Sequence, residues 1–463
     1  MRYISTRGQA PEISFEEAML TGLARDGGLY VPSEVPTLTQ DEIAALAGQS
    51  YEEVAFRVMR PFTGETFTDP EFRAIIARSY QGFGHAARAP LVQIAPNDWV
   101  LELHHGPTLA FKDFAMQLIG QMFETVLARR KQKITIVCAT SGDTGSAAME
   151  AFAGRAGVTC AVLFPEGRVS EVQRRQMTTP DAANVHALAV AGDFDDCQAL
   201  VKAMFNDFAF RDDVGLAAVN SINWARVLAQ VVYYFTAAVS LGAPERQIDF
   251  CVPTGNFGDI FAGHIARRMG LPIGRLIIAT NENDILHRTL ETGAYTRAGV
   301  NPTIAPSMDI QISSNFERLL FEIYDDDGGA VRQAMRELDE AGTFTLSQGA
   351  LTRLREGFAS GRSDEAQTMA TIARVAREGG TVLDPHTAIG VSAAGAIPRA
   401  PSTPLVVLGT AHAAKFPDAV ERACGERPSL PPRLSDLYQR TERMSVVAND
   451  IAAVQQEIRI RTA

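Results

Sequence analysis

Lys112 is the residue whose surroundings most favour covalent chemistry. Gly106-Pro107-Thr108 marks a turn and a helix start before it, and the segment from Leu109 to Ala115 is otherwise largely apolar. A lysine buried in such a segment loses solvation, which lowers the pKa of its amine and increases the neutral, nucleophilic fraction. The alternative is a lysine that lies along an apolar surface while its ammonium group pairs with Asp113. Because an anion-binding loop follows it, we favour a lysine that forms a Schiff base with a phosphate-bearing cofactor.

Two loops rich in glycine and small polar residues have the composition of anion-binding loops. They are Thr140 to Gly145 and Thr254 to Asp259. Glycine lets the backbone approach a ligand closely, and N–H groups at a helix start converge on an anion. Neither loop carries the GxGxxG pattern of dinucleotide sites or the GK[ST] of a P-loop, which disfavours a nicotinamide dehydrogenase. Each loop taken alone could be an ordinary strand-to-helix turn, whereas together they predict a small anionic ligand.

Short apolar strands that alternate with helices must position these loops. Strands are expected at Ile134 to Ala139, Val158 to Phe164, Val185 to Val190, Ile248 to Pro253, Leu276 to Thr280 and Leu405 to Leu408. Such alternation is typical of an α/β fold built on parallel sheets. Ligands of this class of fold bind at the carboxyl edge of the strands, where the two loops should meet.

The first hundred residues follow a different pattern. Helices are expected around Ser14 to Ala24, Gln40 to Ala47 and Glu71 to Tyr80. We therefore predict a mostly helical N-terminal domain over residues 1–95 and a catalytic region over residues 96–463.

Composition excludes several classes of protein. The net charge of −11 argues against nucleic-acid binding, which needs a basic face. The five cysteines are widely spaced and contain no CxxC pair, so neither a disulfide framework nor a metal site is expected. The N-terminus lacks the apolar segment of a signal peptide, and no apolar run is long enough to span a membrane. These features predict a cytoplasmic protein without membrane or metal partners.

The segment from Gly106 to Asp113 resembles the cofactor-lysine segment of threonine synthases. Further segments also resemble this family, namely Ser5 to Gly8, Asp26 to Pro32, Thr140 to Ala148, Asn220 to Arg226, Pro253 to Asp259 and Gly409 to Phe416. The resemblance covers most of the chain and is greatest to the longer form of the enzyme. It implies the tryptophan-synthase-β-like fold of pyridoxal-phosphate enzymes, with two αβα subdomains, each containing a parallel sheet, and the cofactor cleft between them.

The resemblance also implies which residues hold the cofactor, pyridoxal 5′-phosphate. Lys112 would form the Schiff base and later move protons. The cofactor phosphate would bind the backbone amides of Gly255, Asn256, Phe257 and Gly258, with Asp259 at the end of the loop. We expect Asp259 to present its backbone N–H, because a carboxylate cannot accept from an ionised phosphate. The hydroxyl of Thr410 would meet the pyridine nitrogen.

The substrate residues implied by the family are Ser141 and Thr144 for a carboxylate and Asn220, Ser221 and Arg226 for a phosphate. Arginine suits phosphate because its planar fork can donate two charge-assisted hydrogen bonds. The alternative for Arg226 is a surface ion pair, and Arg168 is a weaker second candidate. The role of Asp143 is open, because a carboxylate next to the phenolic oxygen of the cofactor would repel it. His386 and His412 are expected to be structural.

The implied activity is the conversion of O-phospho-L-homoserine and water into L-threonine and phosphate, the last step of threonine biosynthesis. One alternative is another lyase of the same fold, either a serine/threonine dehydratase or a phospho-lyase that gives 2-oxobutyrate. A second is a non-catalytic ligand-binding or signalling module, against which the retained Lys112 argues. The expected assembly is a monomer or a homodimer.

Overall fold

The computed structural model describes residues 1–462, which contain fifteen strands and nineteen α-helices. The strands are β1 (Tyr3–Ser5), β2 (Tyr30–Pro32), β3 (Leu91–Ala95), β4 (Asp98–Glu102), β5 (Ile134–Ala139), β6 (Val158–Pro165), β7 (Val185–Val190), β8 (Leu216–Ala217), β9 (Ile248–Pro253), β10 (Ile273–Thr280), β11 (Ala294–Thr296), β12 (Thr343–Thr345), β13 (Phe358–Arg362), β14 (Leu405–Gly409) and β15 (Ser445–Val447).

The helices connect these strands and cover the faces of the sheets. They are α1 (Phe15–Thr21), α2 (Gln40–Ala44), α3 (Tyr51–Thr63), α4 (Asp69–Tyr80), α5 (Lys112–Arg130), α6 (Asp143–Phe152), α7 (Glu171–Thr178), α8 (Phe194–Asn206), α9 (Phe208–Val214), α10 (Trp224–Ser240), α11 (Gly258–Arg268), α12 (Ile285–Thr292), α13 (Phe316–Ile323), α14 (Gly328–Ala341), α15 (Gln348–Gly357), α16 (Glu365–Gly379), α17 (Pro385–Gly395), α18 (Pro417–Cys424) and α19 (Ile451–Thr462).

Two parallel sheets organise the chain, which confirms the predicted α/β class. The five-stranded sheet has the order β15-β7-β6-β5-β8 and is parallel throughout. The six-stranded sheet has the order β13-β10-β9-β14-β4-β3, and only the edge strand β3 is antiparallel to its neighbour. The central strands β6, β9 and β14 are mostly apolar and buried, as expected for strands covered on both faces.

Helix α10 is a central element of the core. Apolar residues lie on every side of this helix, with Arg226 and Gln230 as the buried polar exceptions, and Trp224, Tyr233 and Tyr234 are fully or almost fully buried. A helix that is apolar all round must be enclosed by other elements, and α10 packs against α3, α5 and α11. The apolar residues of α1, α3 and α4 belong to the same core cluster as those of both sheets.

The two N-terminal segments that resemble the family have a structural role here. The Asp26 carboxylate accepts hydrogen bonds from the Ser5 hydroxyl and from the backbone of Gln9 and Gly28. Thr6 donates to Glu317 on α13 at 2.7 Å, and Arg7 forms an ion pair with the same carboxylate. These contacts fasten the start of the chain to the catalytic region.

The structure differs from the sequence prediction in the N-terminal part. Helix α3 was not predicted, and its Pro61 is a residue that normally ends or kinks a helix. Pro61 lies in the last turn of α3, after most of the helix has formed. Strand β3 falls inside the predicted domain 1–95 but pairs with β4. The pairing of β3 with β4 favours a domain boundary before Leu91. The division into residues 1–95 and 96–463 stays a prediction, and Ala463, the last residue of the second region, lies outside the described residues. No helix within residues 1–462 is long and apolar enough to cross a membrane.

Candidate active site

A cleft of about 1350 Å³ is lined by every residue that was predicted to bind cofactor or substrate. The loops that follow β5, β9 and β14 reach it, so the carboxyl ends of strands from both sheets open into one space. Arg168 is exposed and is not among the lining residues. The cleft therefore brings together the candidate residues and leaves out the weaker arginine.

Lys112 is the first residue of α5, and its amine lies inside the cleft. Its Nζ is 3.3 Å from Asp143 Oδ2 and 3.3 Å from the hydroxyl of Ser307. Burial lowers the pKa of Lys112, and the charges of Lys415 and Arg226 contribute in the same direction against the opposing charge of Asp143. The predicted desolvated amine is thus present in the structure, and its surroundings shift the proton equilibrium of Lys112 toward the neutral form.

Asp113 does not pair with Lys112. Its carboxylate accepts from the backbone N–H of Thr108 at 2.8 Å and from the Thr108 hydroxyl at 2.6 Å. Asp113 therefore closes the turn before α5, and the alternative interpretation of Lys112 as a surface lysine paired with Asp113 is wrong.

The loop from Gly255 to Gly258 has the features of an anion site. Within residues 1–462 its four backbone N–H groups donate to no protein acceptor. Phe257 has a φ of 64°, a left-handed conformation that non-glycine residues adopt rarely and mostly at functional sites. A Cβ at Gly255 would lie 2.8 Å from the carbonyl of Ser307. The free amides stand at the start of α11, where the helix dipole also attracts a phosphate.

Asp259 turns its carboxyl group away from the loop amides toward α10. Oδ1 accepts from the hydroxyls of Tyr233 at 2.5 Å and Tyr234 at 3.1 Å, while buried Oδ2 has no protein partner. Burial raises the pKa of Asp259 to about 7, although the two tyrosine hydrogen bonds oppose this change. A neutral carboxylic acid next to the phosphate loop avoids the repulsion that an ionised one would create.

Replacing Asp259 with asparagine is expected to remove a pH-dependent loss of stability in the cofactor-free protein. The pKa of Asp259 is raised from 3.8 to about 7 on folding. Its contribution to stability is therefore fully present below pH ~3.8 and is lost as the pH rises through ~7. Between about pH 5 and about pH 8 the free energy of unfolding of the wild type should fall by roughly 3 kcal/mol more than that of Asp259→Asn. Urea unfolding of both proteins over this range measures the difference, and parallel pH profiles would contradict it.

The loop after β5 offers a second set of backbone donors. The Thr140 hydroxyl accepts from the N–H groups of Gly142 and Gly145, both at 2.9 Å, and so fixes the turn. Within the described chain, the N–H groups of Ser141 and Thr144 have no acceptor. The conformation of the loop suits a small anion such as a carboxylate.

Arg226 is a buried cation without a counter-ion among the residues that the structure describes. The residue is 3% exposed. Within residues 1–462 the only hydrogen bond of its guanidinium group is a 3.3 Å contact to the carbonyl of Val219, and Nε has no partner. Burial lowers the pKa of Arg226 to about 10, and no carboxylate of the described residues offsets the change. The alternative interpretation as a surface ion pair is therefore wrong. Leaving a guanidinium group buried and unpaired is costly, which is typical of a group that awaits an anionic ligand.

The loop that contains Asn220 and Ser221 lies beside the loop at Gly255. Asn315 joins them, because its amide donates to the carbonyl of Ser221 at 3.1 Å and to the carbonyl of Asn256 at 3.0 Å. Arg318 then holds Asn315 and also donates to the carbonyls of Tyr30 and Ile222. Two candidate anion sites are thus built side by side on a rigid support.

Thr410 stands at the end of β14, and its backbone carbonyl accepts from the N–H of Phe111 at 2.9 Å. Its hydroxyl makes no hydrogen bond within residues 1–462, although it lines the cleft. This hydroxyl is free to meet a ring nitrogen.

Several polar residues of the site were missed by the sequence reasoning. Ser307 and Gln173 both donate to the Asp143 carboxylate, at 3.2 and 2.9 Å. Lys415 pairs with the same carboxylate at 2.9 Å. His386 was named in the sequence analysis but expected to be structural; it also lines the cleft, where its ring nitrogens bond to Asp384 and to the backbone N–H of Ser307. Only Lys415 carried a usable signal, because it follows Thr410 in a segment that resembles the family.

The donors in the cleft fit pyridoxal phosphate. A desolvated amine faces the cleft between two sets of free backbone amides, one of which lies at a helix start. Within the described residues no group of three or more histidine, cysteine or acidic side chains is placed to hold a metal ion. The family model for pyridoxal-phosphate dependent enzymes matches residues 84–353. Fold and site together define a pyridoxal-phosphate-dependent enzyme.

Comparisons with known proteins narrow this class. Family models described as threonine synthase N terminus and threonine synthase, C-terminal, match residues 2–80 and 387–458. The chain is 53% identical to the threonine synthase of Pseudomonas aeruginosa, over 98% of this chain and 97% of the relative. It is 42% identical to that of Saccharomyces cerevisiae, over 96% and 95%. The chain belongs to the threonine synthase family, whose members are pyridoxal-phosphate-dependent lyases.

Solved structures agree with this assignment. The pyridoxal-phosphate-bound threonine synthase from Brucella melitensis superposes with a TM-score of 0.97 at 57% identity, covering 100% of this chain and 99% of that one. The yeast threonine synthase gives a TM-score of 0.94 at 40% identity, covering 99% and 98%. Maize serine racemase is similar only in fold, with a TM-score of 0.51 at 15% identity.

Proposed function

We propose that this chain converts O-phospho-L-homoserine and water into L-threonine and phosphate. The observation that carries the proposal is the unpaired Arg226, which adds a second phosphate-binding group to a cleft that already has a phosphate loop at Gly255 to Gly258. A dehydratase acting on free threonine would have no use for this buried charge.

The residues of the cleft divide the work of binding. The amides of Gly255 to Gly258 hold the cofactor phosphate, and Thr410 meets the ring nitrogen. The amides and hydroxyls of Ser141 and Thr144 hold the substrate carboxylate. Arg226, with Asn220 and Ser221, holds the phosphate that leaves. When bound, pyridoxal phosphate supplies an electron sink that weakens the bonds at the α-carbon of the substrate.

Lys112 holds and moves the protons. As a neutral amine it would accept the α-proton of the substrate and give that proton up to the bound cofactor before it accepts a β-proton. It would return protons to Cγ once phosphate has left and to the α-carbon once the hydroxyl of water has added at Cβ, and the remaining proton of the water would go to the released phosphate. A base that both takes and gives protons works best when its pKa is near the working pH. Burial and the neighbouring cations lower the pKa of Lys112 in this direction. Thr410 is consistent with this role of Lys112. A hydroxyl cannot stabilise a protonated ring nitrogen as a carboxylate would, so the cofactor would be a milder electron sink and more of the work would fall to Lys112 as the base.

Incubation of the purified protein with pyridoxal phosphate and O-phosphohomoserine tests the proposal. Equal amounts of threonine and inorganic phosphate are expected. Release of 2-oxobutyrate and ammonia would instead support a lyase of the same fold, and absence of any product would favour a binding module.

A cytoplasmic location is supported by five free cysteines. We therefore propose a cytoplasmic location for this protein, and we propose that it is a monomer or a homodimer.

A further inference from the structure

A buried lysine outside the predicted site shares a carboxylate with Lys112. Asp143 Oδ2 is 3.3 Å from Lys112 Nζ, and Asp143 Oδ1 is 2.9 Å from Lys415 Nζ. Lys415 is 0% exposed and Lys112 is 9% exposed. One carboxylate thus lies between the amines of two lysines that are both shielded from water.

These three groups cannot all stay charged without cost. Two ammonium ions and one carboxylate leave an excess positive charge, and the buried guanidinium of Arg226 adds another. Burial makes such an excess expensive, and loss of a proton from one amine is the simplest relief. Protonation of Asp143 cannot lower this cost, because it would increase the excess positive charge.

The contacts indicate which amine gives up its proton. Lys415 Nζ forms an ion pair with Asp143 Oδ1 at 2.9 Å and donates a hydrogen bond to the carbonyl of Thr108 at 2.8 Å, so protein oxygens surround this amine closely. Within residues 1–462 Lys112 Nζ makes only two hydrogen bonds, both at 3.3 Å, one to Asp143 and one to a hydroxyl. Shorter hydrogen bonds to charged and carbonyl oxygens stabilise an ammonium ion more. Lys112 is therefore the amine that its contacts hold less firmly as an ammonium ion.

The position of Lys415 is fixed by the same segment that carries Thr410. The chain turns from β14 through Thr410 into a short 3₁₀ turn, Ala413–Lys415, which the His412 ring caps by accepting from the N–H of Ala414 at 3.1 Å. Gln173 donates to Asp143 Oδ1 at 2.9 Å and so holds that oxygen toward Lys415. Oδ2 is left to face Lys112 and Ser307.

We propose that Lys415 is a positioning residue that neutralises Asp143 and thereby keeps Lys112 available as a free amine. The proposal rests on the proposed function in one respect, namely that Lys112 is the residue to which the cofactor attaches. It also gives Asp143 a role. Its charge is balanced by Lys415, so the carboxylate can orient the Lys112 amine without holding it as an ammonium ion. Burial alone would raise the pKa of Asp143, but Lys112 and Lys415 hold it well below its usual range.

The experiment follows covalent attachment rather than turnover. Full-length protein freed of cofactor is mixed with pyridoxal phosphate over a range of pH, and the attachment is fixed with borohydride and mapped to Lys112. The rate of attachment depends on the neutral fraction of Lys112 and so gives the midpoint of its titration. Lys415→Met should move this midpoint upward by about 1 to 2 pH units, because Lys112 becomes the only cation that faces Asp143. At neutral pH the rate should fall by roughly tenfold or more.

Three further variants separate charge from packing. Lys415→Arg retains the charge and should keep the midpoint near that of the wild type. Lys133→Met makes the same substitution at an exposed lysine that does not line the cleft and should leave the midpoint in place. Asp143→Asn should move it downward, because Lys112 loses its anion while Lys415 remains charged. This last variant tests the proposal even if Lys415→Met does not fold.

The possible outcomes are distinguishable. An unchanged or lower midpoint in Lys415→Met, or an unchanged or higher one in Asp143→Asn, would overturn the role of Lys415 and leave the proposed function intact. Wild-type protein that carries no label on Lys112 at any pH would overturn both proposals.

Discussion

Replacing Lys112 with alanine is expected to lower kcat/KM by a factor of roughly 10⁴ or more, the upper end of what a positioned acid–base group contributes. The amine is the only basic nitrogen in contact with both Asp143 and Ser307 in the described cleft. No neighbouring group is placed to substitute for it, since the Lys415 amine is already bonded to Asp143 and to the carbonyl of Thr108. Release of phosphate from O-phosphohomoserine measures the change.

A matched control separates this effect from a general loss of charge. Lys133 is an exposed lysine that directly precedes β5, and Lys133→Ala should retain the kcat/KM of the wild type. The thermal unfolding midpoint of Lys112→Ala without cofactor should not fall, because the variant removes a desolvated amine. Retention of more than about a tenth of the wild-type rate in Lys112→Ala would contradict the proposed role.

Replacing Arg226 with methionine is expected to have opposite effects on activity and on stability. A buried unpaired guanidinium group destabilises the fold, so Arg226→Met should raise the free energy of unfolding of the cofactor-free protein by about 1 to 4 kcal/mol. The same change removes the cation that faces the substrate phosphate and should lower kcat/KM by roughly 10² to 10³. Urea unfolding and steady-state kinetics measure the two quantities.

Two other variants show whether the arginine binds phosphate. Arg226→Lys keeps a positive charge but loses the planar fork, so its kcat/KM should fall between those of the wild type and Arg226→Met. Arg168→Ala removes an exposed arginine outside the cleft and should leave kcat/KM unchanged. If Arg226→Met retained the wild-type kcat/KM, the group would be structural and the substrate phosphate would bind elsewhere.

The regular elements that position the site were predictable from local sequence. Strands Ile134–Ala139 and Ile248–Pro253 have the predicted bounds, because each is a β-branched or apolar run that ends at a glycine-containing loop. The burial of Lys112 followed from its apolar neighbours in the same way. These features depend on residues close together in the chain.

Contacts between distant segments were not predictable in the same way. Lys415 and Asp143 meet only because β14 and β5, in different sheets, end at one cleft. Ser307 lies in a short 3₁₀ turn, Pro306–Met308, whose sequence has no periodicity to reveal it. The burial of Arg226 depends on the helices that enclose α10, whereas its local sequence also allowed a surface ion pair. A single sequence shows which groups could do chemistry but not which of them neutralise each other.

Peptide mapping after borohydride reduction of the protein with bound pyridoxal phosphate tests the central claim most directly. The account predicts one pyridoxyl label for each chain, on the peptide that contains Lys112. A label on Lys415 or on a surface lysine, or the absence of a stable label, would contradict it.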